Sequence, residues 1–162
     1  MRMKREAIGV VAVLMLATAA SAQERPQGAA DLVGAWVGYA DESSLDRALV
    51  GAAVKWQPSR HVAIGPELDY VIGPHGDRDL IVTGNLTVDI LARRVTPFIV
   101  VGGGFSHQSI PLDHGTYTAT HAAFTGGGGV RFAVTEHFYI APEARIGWEL
   151  QTRVGVAIGS RF

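Results

Sequence analysis

No cysteine occurs anywhere in the 162-residue chain, which removes disulfide staples, thiolate metal sites and cysteine nucleophiles together. Neither sign of charge is in excess. The 14 basic residues face 15 acidic ones, so there is no basic field for nucleic acid. Charged residues make up only 18% of the chain and hydrophobic ones 48%, which excludes a disordered solvating segment. Beyond residue 22 no apolar run is long enough to cross a bilayer as a helix. Glycine, by contrast, is plentiful. Twenty glycines without a three-residue period exclude collagen and must find places in a fold.

Arg2, Lys4 and Arg5 precede an apolar run over residues 7–20, too short to span ~30 Å of hydrocarbon comfortably. Ala20-Ser21-Ala22 follows as a small-residue cleavage site. The pattern is that of a secretory signal peptide over 1–22, cleaved after Ala22. Its loss carries away Arg2, Lys4, Arg5 and Glu6, leaving 11 basic against 14 acidic residues in 23–162. There is no lipobox cysteine, so export without a lipid anchor is expected.

From residue 31 onward, apolar residues alternate with polar or small ones in segments of strand length. Strands are expected near 31–40, 47–57, 61–73, 79–91, 97–107, 121–133, 138–149 and 153–162. Short connections at 57–60, 92–96 and 135–137 alternate with longer polar ones at 41–46, 73–78 and, above all, 108–120. A tight hairpin at 150–152 closes the series. This asymmetry is that of an outer-membrane barrel with tight periplasmic turns and longer external loops.

The faces of the strands carry the rest of the argument. Val154, Val156, Ile158 and Phe162 share one face of the last strand, and Arg153, Gly155, Ala157, Gly159 and Arg161 share the other. Lys55, Glu67, Asp69, Asp89, Arg131, Glu143 and Arg145 all sit mid-strand opposite an apolar face, among glycines and alanines. A soluble ligand-binding barrel in the periplasm has the same period with its apolar face inward. Apolar faces persisting over ten or more residues, and charges of both signs at mid-strand, favour the membrane alternative. The expected fold is all-β: an eight-stranded antiparallel up-and-down transmembrane β-barrel over 23–162, behind the cleaved signal peptide. Glu149 and Arg153 are expected to form an inward cross-strand pair beside the last hairpin.

The stretch from Gly126-Gly127-Gly128-Gly129-Val130-Arg131-Phe132 through Pro142-Glu143-Ala144-Arg145, with the ending Val154-Gly155-Val156-Ala157-Ile158-Gly159-Ser160-Arg161-Phe162, resembles the OmpA-like outer-membrane β-barrel family. Pro97-Phe98 and Gly102-Gly103-Gly104 also look like that family. The resemblance is sharpest from Pro97 onward. It implies a bacterial outer-membrane location, with lipid and lipopolysaccharide as surroundings and the barrel-assembly machinery reading Phe162. The family's peptidoglycan-binding domain is not expected, because the chain stops at the last strand. The function this implies is a small structural or surface-interaction protein of the Gram-negative envelope, neither an enzyme nor a bulk porin. The 108–120 loop is the place expected for any extracellular ligand.

Candidate chemistry is sparse. Gly102–Gly104 and Gly126–Gly129 lack the Lys-Ser/Thr tail and the strand-to-helix context of a phosphate loop. A hairpin centred near His114 would put Gly102 opposite Gly126, two glycine-rich strands side by side. His107-Gln108-Ser109 looks like part of the lipid A deacylase site, with His107 as base and Ser109 as nucleophile. The surrounding residues depart from that family, and Asp113 alone is at hand as the third group. A lipid A deacylase-like hydrolase is therefore the alternative function. His61, His75, His107, His114, His121 and His137 do not have metal-ligand spacing, so no metal and no cofactor is expected. Trp36, Trp56, Trp148, Tyr39, Tyr70 and Tyr139 suit an aromatic girdle in part. The Asn85-Leu86-Thr87 sequon lies within an expected strand and is discounted.

Overall fold

The computed structural model describes residues 27–38, 45–91, 93–112, 115–147 and 151–162. The expected leader at 1–22 lies outside them. Eight strands follow in order: β1 Gln27–Gly38, β2 Arg47–Ser59, β3 Val62–Ile72, β4 Arg78–Asp89, β5 Val95–Leu112, β6 Gly115–Ala133, β7 Phe138–Gly147 and β8 Thr152–Arg161. Each pairs antiparallel with the next, and β8 returns to β1 to close a barrel. At the seam the Gly28 N–H donates to the Phe162 carbonyl and the Phe162 N–H to the Gly28 carbonyl, both at 2.9 Å. Among the described residues every pair of neighbouring strands around the ring shares an antiparallel ladder.

Closure sorts the side chains by parity. Leu32, Trp36, Val50, Leu68, Val101, Phe105, Ile146 and Ile158 point outward and are exposed. Asp31, Glu67, Asp69, Arg131, Glu143, Arg145 and Arg153 point inward and are buried. A soluble barrel needs the reverse, because apolar surface left in water is the main cost that folding removes. Trp56, Phe132, Phe138 and Phe162 lie toward the end with the short turns, and Trp36, Tyr70, Phe105 and Phe124 toward the other. Trp148 and Tyr39 lie outside the described residues.

Three expectations about the strands are corrected. First, β1 begins at Gln27 rather than near 31, because Trp56 and Gln57 on one side and Ser160 and Arg161 on the other offer ladder partners to residues 27–30. Second, the 108–120 segment is not a loop. β5 runs to Leu112 and β6 starts at Gly115, with the pairs Ser109↔Thr118 and Leu112↔Gly115 in register. Its polarity marks solvent contact, while Thr116, Tyr117, Thr118 and Thr120 are good strand formers. Gly115 has φ +153°, a backbone state that side chains rarely adopt, which suits it to the hairpin tip. Third, the register that pairs Leu112 with Gly115 is one residue off the expected one, so Gly102 faces Thr125 and Gly126 faces Val101. A one-residue slip of this kind exchanges faces: Gly102 lines the interior and Gly126 the exterior.

Candidate functional site

The lumen is built from charged side chains that seven of the eight strands, all but β5, project inward. Arg153 on β8 holds Glu67 Oε1 at 2.7 Å and Asp69 Oδ2 at 2.6 Å through one Nη, and Glu143 Oε1 at 2.9 Å through the other. Arg145 on β7 donates to Glu67 Oε2 at 3.0 Å and to Glu143 Oε2 at 3.1 Å. Asn85 Nδ2 on β4 completes Glu67 with a 2.7 Å bond. Three carboxylates and two guanidinium groups thus tie β3 to β7 and β8 across the barrel.

A second cluster lies nearer the short turns. Lys55 Nζ sits 2.5 Å from Asp31 Oδ2, and the Tyr139 hydroxyl donates to Asp31 Oδ1. Arg131 pairs with Asp89 at 2.7 Å and stacks over Phe98 and Tyr139, its guanidinium 5.3 and 5.1 Å from the ring centres. Two inward glycines make room for these groups. At Gly51 the space of a Cβ is taken by the Asp69 carboxylate, and at Gly159 by Asp31 and Tyr139. Toward the other end Arg47 lies 3.8 Å from Asp77.

All seven mid-strand charges expected to face inward do so. Arg153 also faces inward, but its partners are Glu67, Asp69 and Glu143; Glu149, the partner expected for it, lies outside the described residues. Asp31 and Arg47 escaped the sequence reading because each stood at the boundary of an expected strand, where alternation has too few neighbours to fix parity; Asp31 in fact lies well inside β1. Tyr139 is a lumenal hydrogen-bond donor rather than a girdle residue. Asn85 of the sequon is likewise buried in the lumen.

His107 and Ser109 share the outward face of β5, as residues i and i+2 must. The His107 ring binds Thr120 on β6, with Nδ1 2.9 Å from Thr120 Oγ1. Asp113 and His114 lie outside the described residues. His121 is on the opposite, inward face of β6, where it lines a recess of about 60 Å³ with Asp79, Ser106, Gln108 and Gln151. His107 and His121 are therefore not brought together, and His61 and His137 stand at the short-turn end. Among the described residues no three His, Asp or Glu side chains are grouped to hold a metal ion. The two glycine clusters lie within β5 and β6.

The arrangement has close counterparts among solved structures. The N-terminal β-barrel domain of Pseudomonas aeruginosa OprF aligns with a TM-score of 0.65 at 12% identity, over 85% of this chain and 100% of that one. Neisserial surface protein A aligns with a TM-score of 0.64 at 12% identity, over 84% of this chain and 95% of that one. Ail, the attachment invasion locus protein of Yersinia pestis, aligns with a TM-score of 0.60 at 10% identity, over 86% and 100% respectively. At such identities the likeness is one of fold: a small closed barrel of eight antiparallel strands. No protein-family model matches the sequence, and no curated protein matches it.

Proposed function

We propose that the chain is a small β-barrel of the bacterial outer membrane with a structural or surface-interaction role, carrying out no reaction and conducting no bulk solute. One observation carries this reading: a closed barrel whose exposed exterior is apolar and whose buried interior holds the charges. Such a molecule has its free-energy minimum in hydrocarbon, where closure satisfies every ladder group and the ion pairs are shielded from lipid. Strands of 10 to 13 residues in β1–β4, β7 and β8 match the length that crosses a bilayer at ~45° tilt. The leader at 1–22 supplies the route out of the cytoplasm, and Phe162 supplies the signal to the barrel-assembly machinery. An interior crowded by paired side chains supports a non-porin role.

The test is fractionation of the expressed full chain together with its gel migration before and after heating in detergent. Recovery in outer membranes with heat-modifiable migration is expected. Recovery from the soluble periplasm would exclude the reading and leave the soluble ligand-binding barrel. For the hydrolase alternative, the mass of lipid A from expressing cells is the measurement. Unchanged lipid A is the expected result, and a Ser109-dependent loss of an acyl chain would overturn it.

A further inference from the structure

The outer surface of β4, β5 and β6 departs from a uniform apolar belt in two ways, one above the other. Near the middle of these strands Gly84 and Gly103 pair side by side facing outward. They floor an open groove of about 740 Å³ walled by Trp56, Ile64, Leu86, Val101 and Phe124. The backbone does not require glycine here. A Cβ on Gly84 would meet nothing nearer than the Gly103 carbonyl at 3.9 Å, and one on Gly103 only the Phe124 ring at 3.5 Å. The missing side chains leave a depression between the large residues of the neighbouring strands.

Above the groove the same three strands present a polar outward face. The pairs Leu80↔His107↔Thr120 and Arg78↔Ser109↔Thr118 place a guanidinium, an imidazole and three hydroxyls on one patch. His107 lies four residues up β5 from Gly103, about 13 Å along the strand, which is the step from mid-bilayer toward the headgroups. The His107–Thr120 bond at 2.9 Å fixes the ring on this patch. Arg78 is exposed, and among the described residues it has no ion-pair partner. The carboxylates of β3 and β4, Glu67, Asp69, Asp79 and Asp89, all turn inward, and Asp77 pairs with Arg47, so among the described residues of these two strands no carboxylate shares the outer face with Arg78.

We propose that this surface is a binding site for one lipid A molecule of the outer leaflet. Its phosphate is held by Arg78, its sugar hydroxyls by His107, Ser109, Thr118 and Thr120, and one acyl chain lies in the groove over Gly84 and Gly103. Charge complementarity selects an anionic head, hydroxyl and imidazole groups select one rich in hydrogen-bonding oxygens, and the groove beneath selects an attached hydrocarbon chain. The orientation with the 73–77 connection and the paired ends of β5 and β6 outermost places the head in the outer leaflet. The site rests on the outer-membrane reading above, and it binds the lipid without cleaving it.

The experiment uses the full chain extracted from outer membranes in mild detergent, with retained lipopolysaccharide and phosphatidylglycerol counted per chain by native mass spectrometry. The wild-type chain is expected to keep one lipid A. Arg78→Ala is expected to lower its retention about tenfold through loss of the charged contact. Gly84→Leu fills the groove and is expected to lower retention similarly, while Gly34→Leu, the same change on the outward face of β1 where a Cβ meets nothing, leaves it unchanged. All four chains should remain heat-modifiable, which separates loss of the site from loss of the barrel. Equal retention in all four would overturn the proposal. So would retention of phosphatidylglycerol in place of lipid A, or a dimer abolished by Gly84→Leu, which would make the occupant a second copy. A wild-type chain absent from the membrane would instead refute the reading on which the site rests.

Discussion

Arg153 reaches two carboxylates of β3 and one of β7 from its place on β8, so one side chain fixes the separation of three strands. Removing it leaves Glu67, Asp69 and Glu143 with Arg145 alone, and a buried carboxylate without its cation is among the most costly defects a fold can carry. Arg153→Ala is expected to cost about 3–5 kcal/mol, read as a lower urea midpoint for unfolding from lipid vesicles. Tyr139→Phe deletes only the hydroxyl that Asp31 accepts, while Lys55 remains, and is expected to cost about 1–2 kcal/mol in the same measurement. The inward direction of these charges was legible in the sequence, since alternation alone sets it. Their partners were not. Arg153 meets Glu67 across the barrel, and that meeting depends on the stagger of all eight strands, which no local pattern encodes.

The β5–β6 hairpin is the element that the sequence most misrepresented. Its threonines, tyrosine and histidine read as loop by polarity, yet the two strands stay paired to Leu112 and Gly115. The neighbouring strands stop sooner, β4 at Arg78 opposite Ser109 and β7 at Gly147 opposite Thr125, so the upper part of the hairpin has only itself as a partner. It stands clear of the ring. Replacing residues 110–117 with an Asn-Gly turn between Ser109 and Thr118 should therefore leave heat-modifiable migration and the urea midpoint unchanged. A chain that no longer folds after that exchange would show the hairpin to be part of the barrel's stability. The other strands were legible to within a few residues, because one side of each meets an apolar medium and the other a crowded polar lumen, and two such surroundings impose a clean period of two.

At the scale of the whole molecule, the lumen is occupied by its own side chains. The largest fully buried ones include Arg131 and Glu67, and the space beside Gly51 and Gly159 is taken by neighbouring side chains, Asp69 at the first and Asp31 with Tyr139 at the second. Planar-bilayer recordings of the purified chain are expected to show no large, steady, ohmic current. A stable conductance of porin size would mean that the charged network opens in the membrane. The sequence made the closed barrel legible through its strand count and alternation. It gave no sign of the groove over Gly84 and Gly103, because a pair of glycines 19 positions apart becomes one surface feature only when β4 and β5 are in register.

The seam between Gly28 and Phe162 joins the beginning of the described chain to its end. β1 is synthesised before the other seven strands and β8 after them, so no chain that lacks β8 has a closed ring or a fully paired interior. Every earlier stage exposes two ladder edges and a row of unpaired charges that hydrocarbon will not accept. Entry into lipid is thereby gated by completion. A chain without β8 keeps the open edge of β1, which hydrocarbon does not accept.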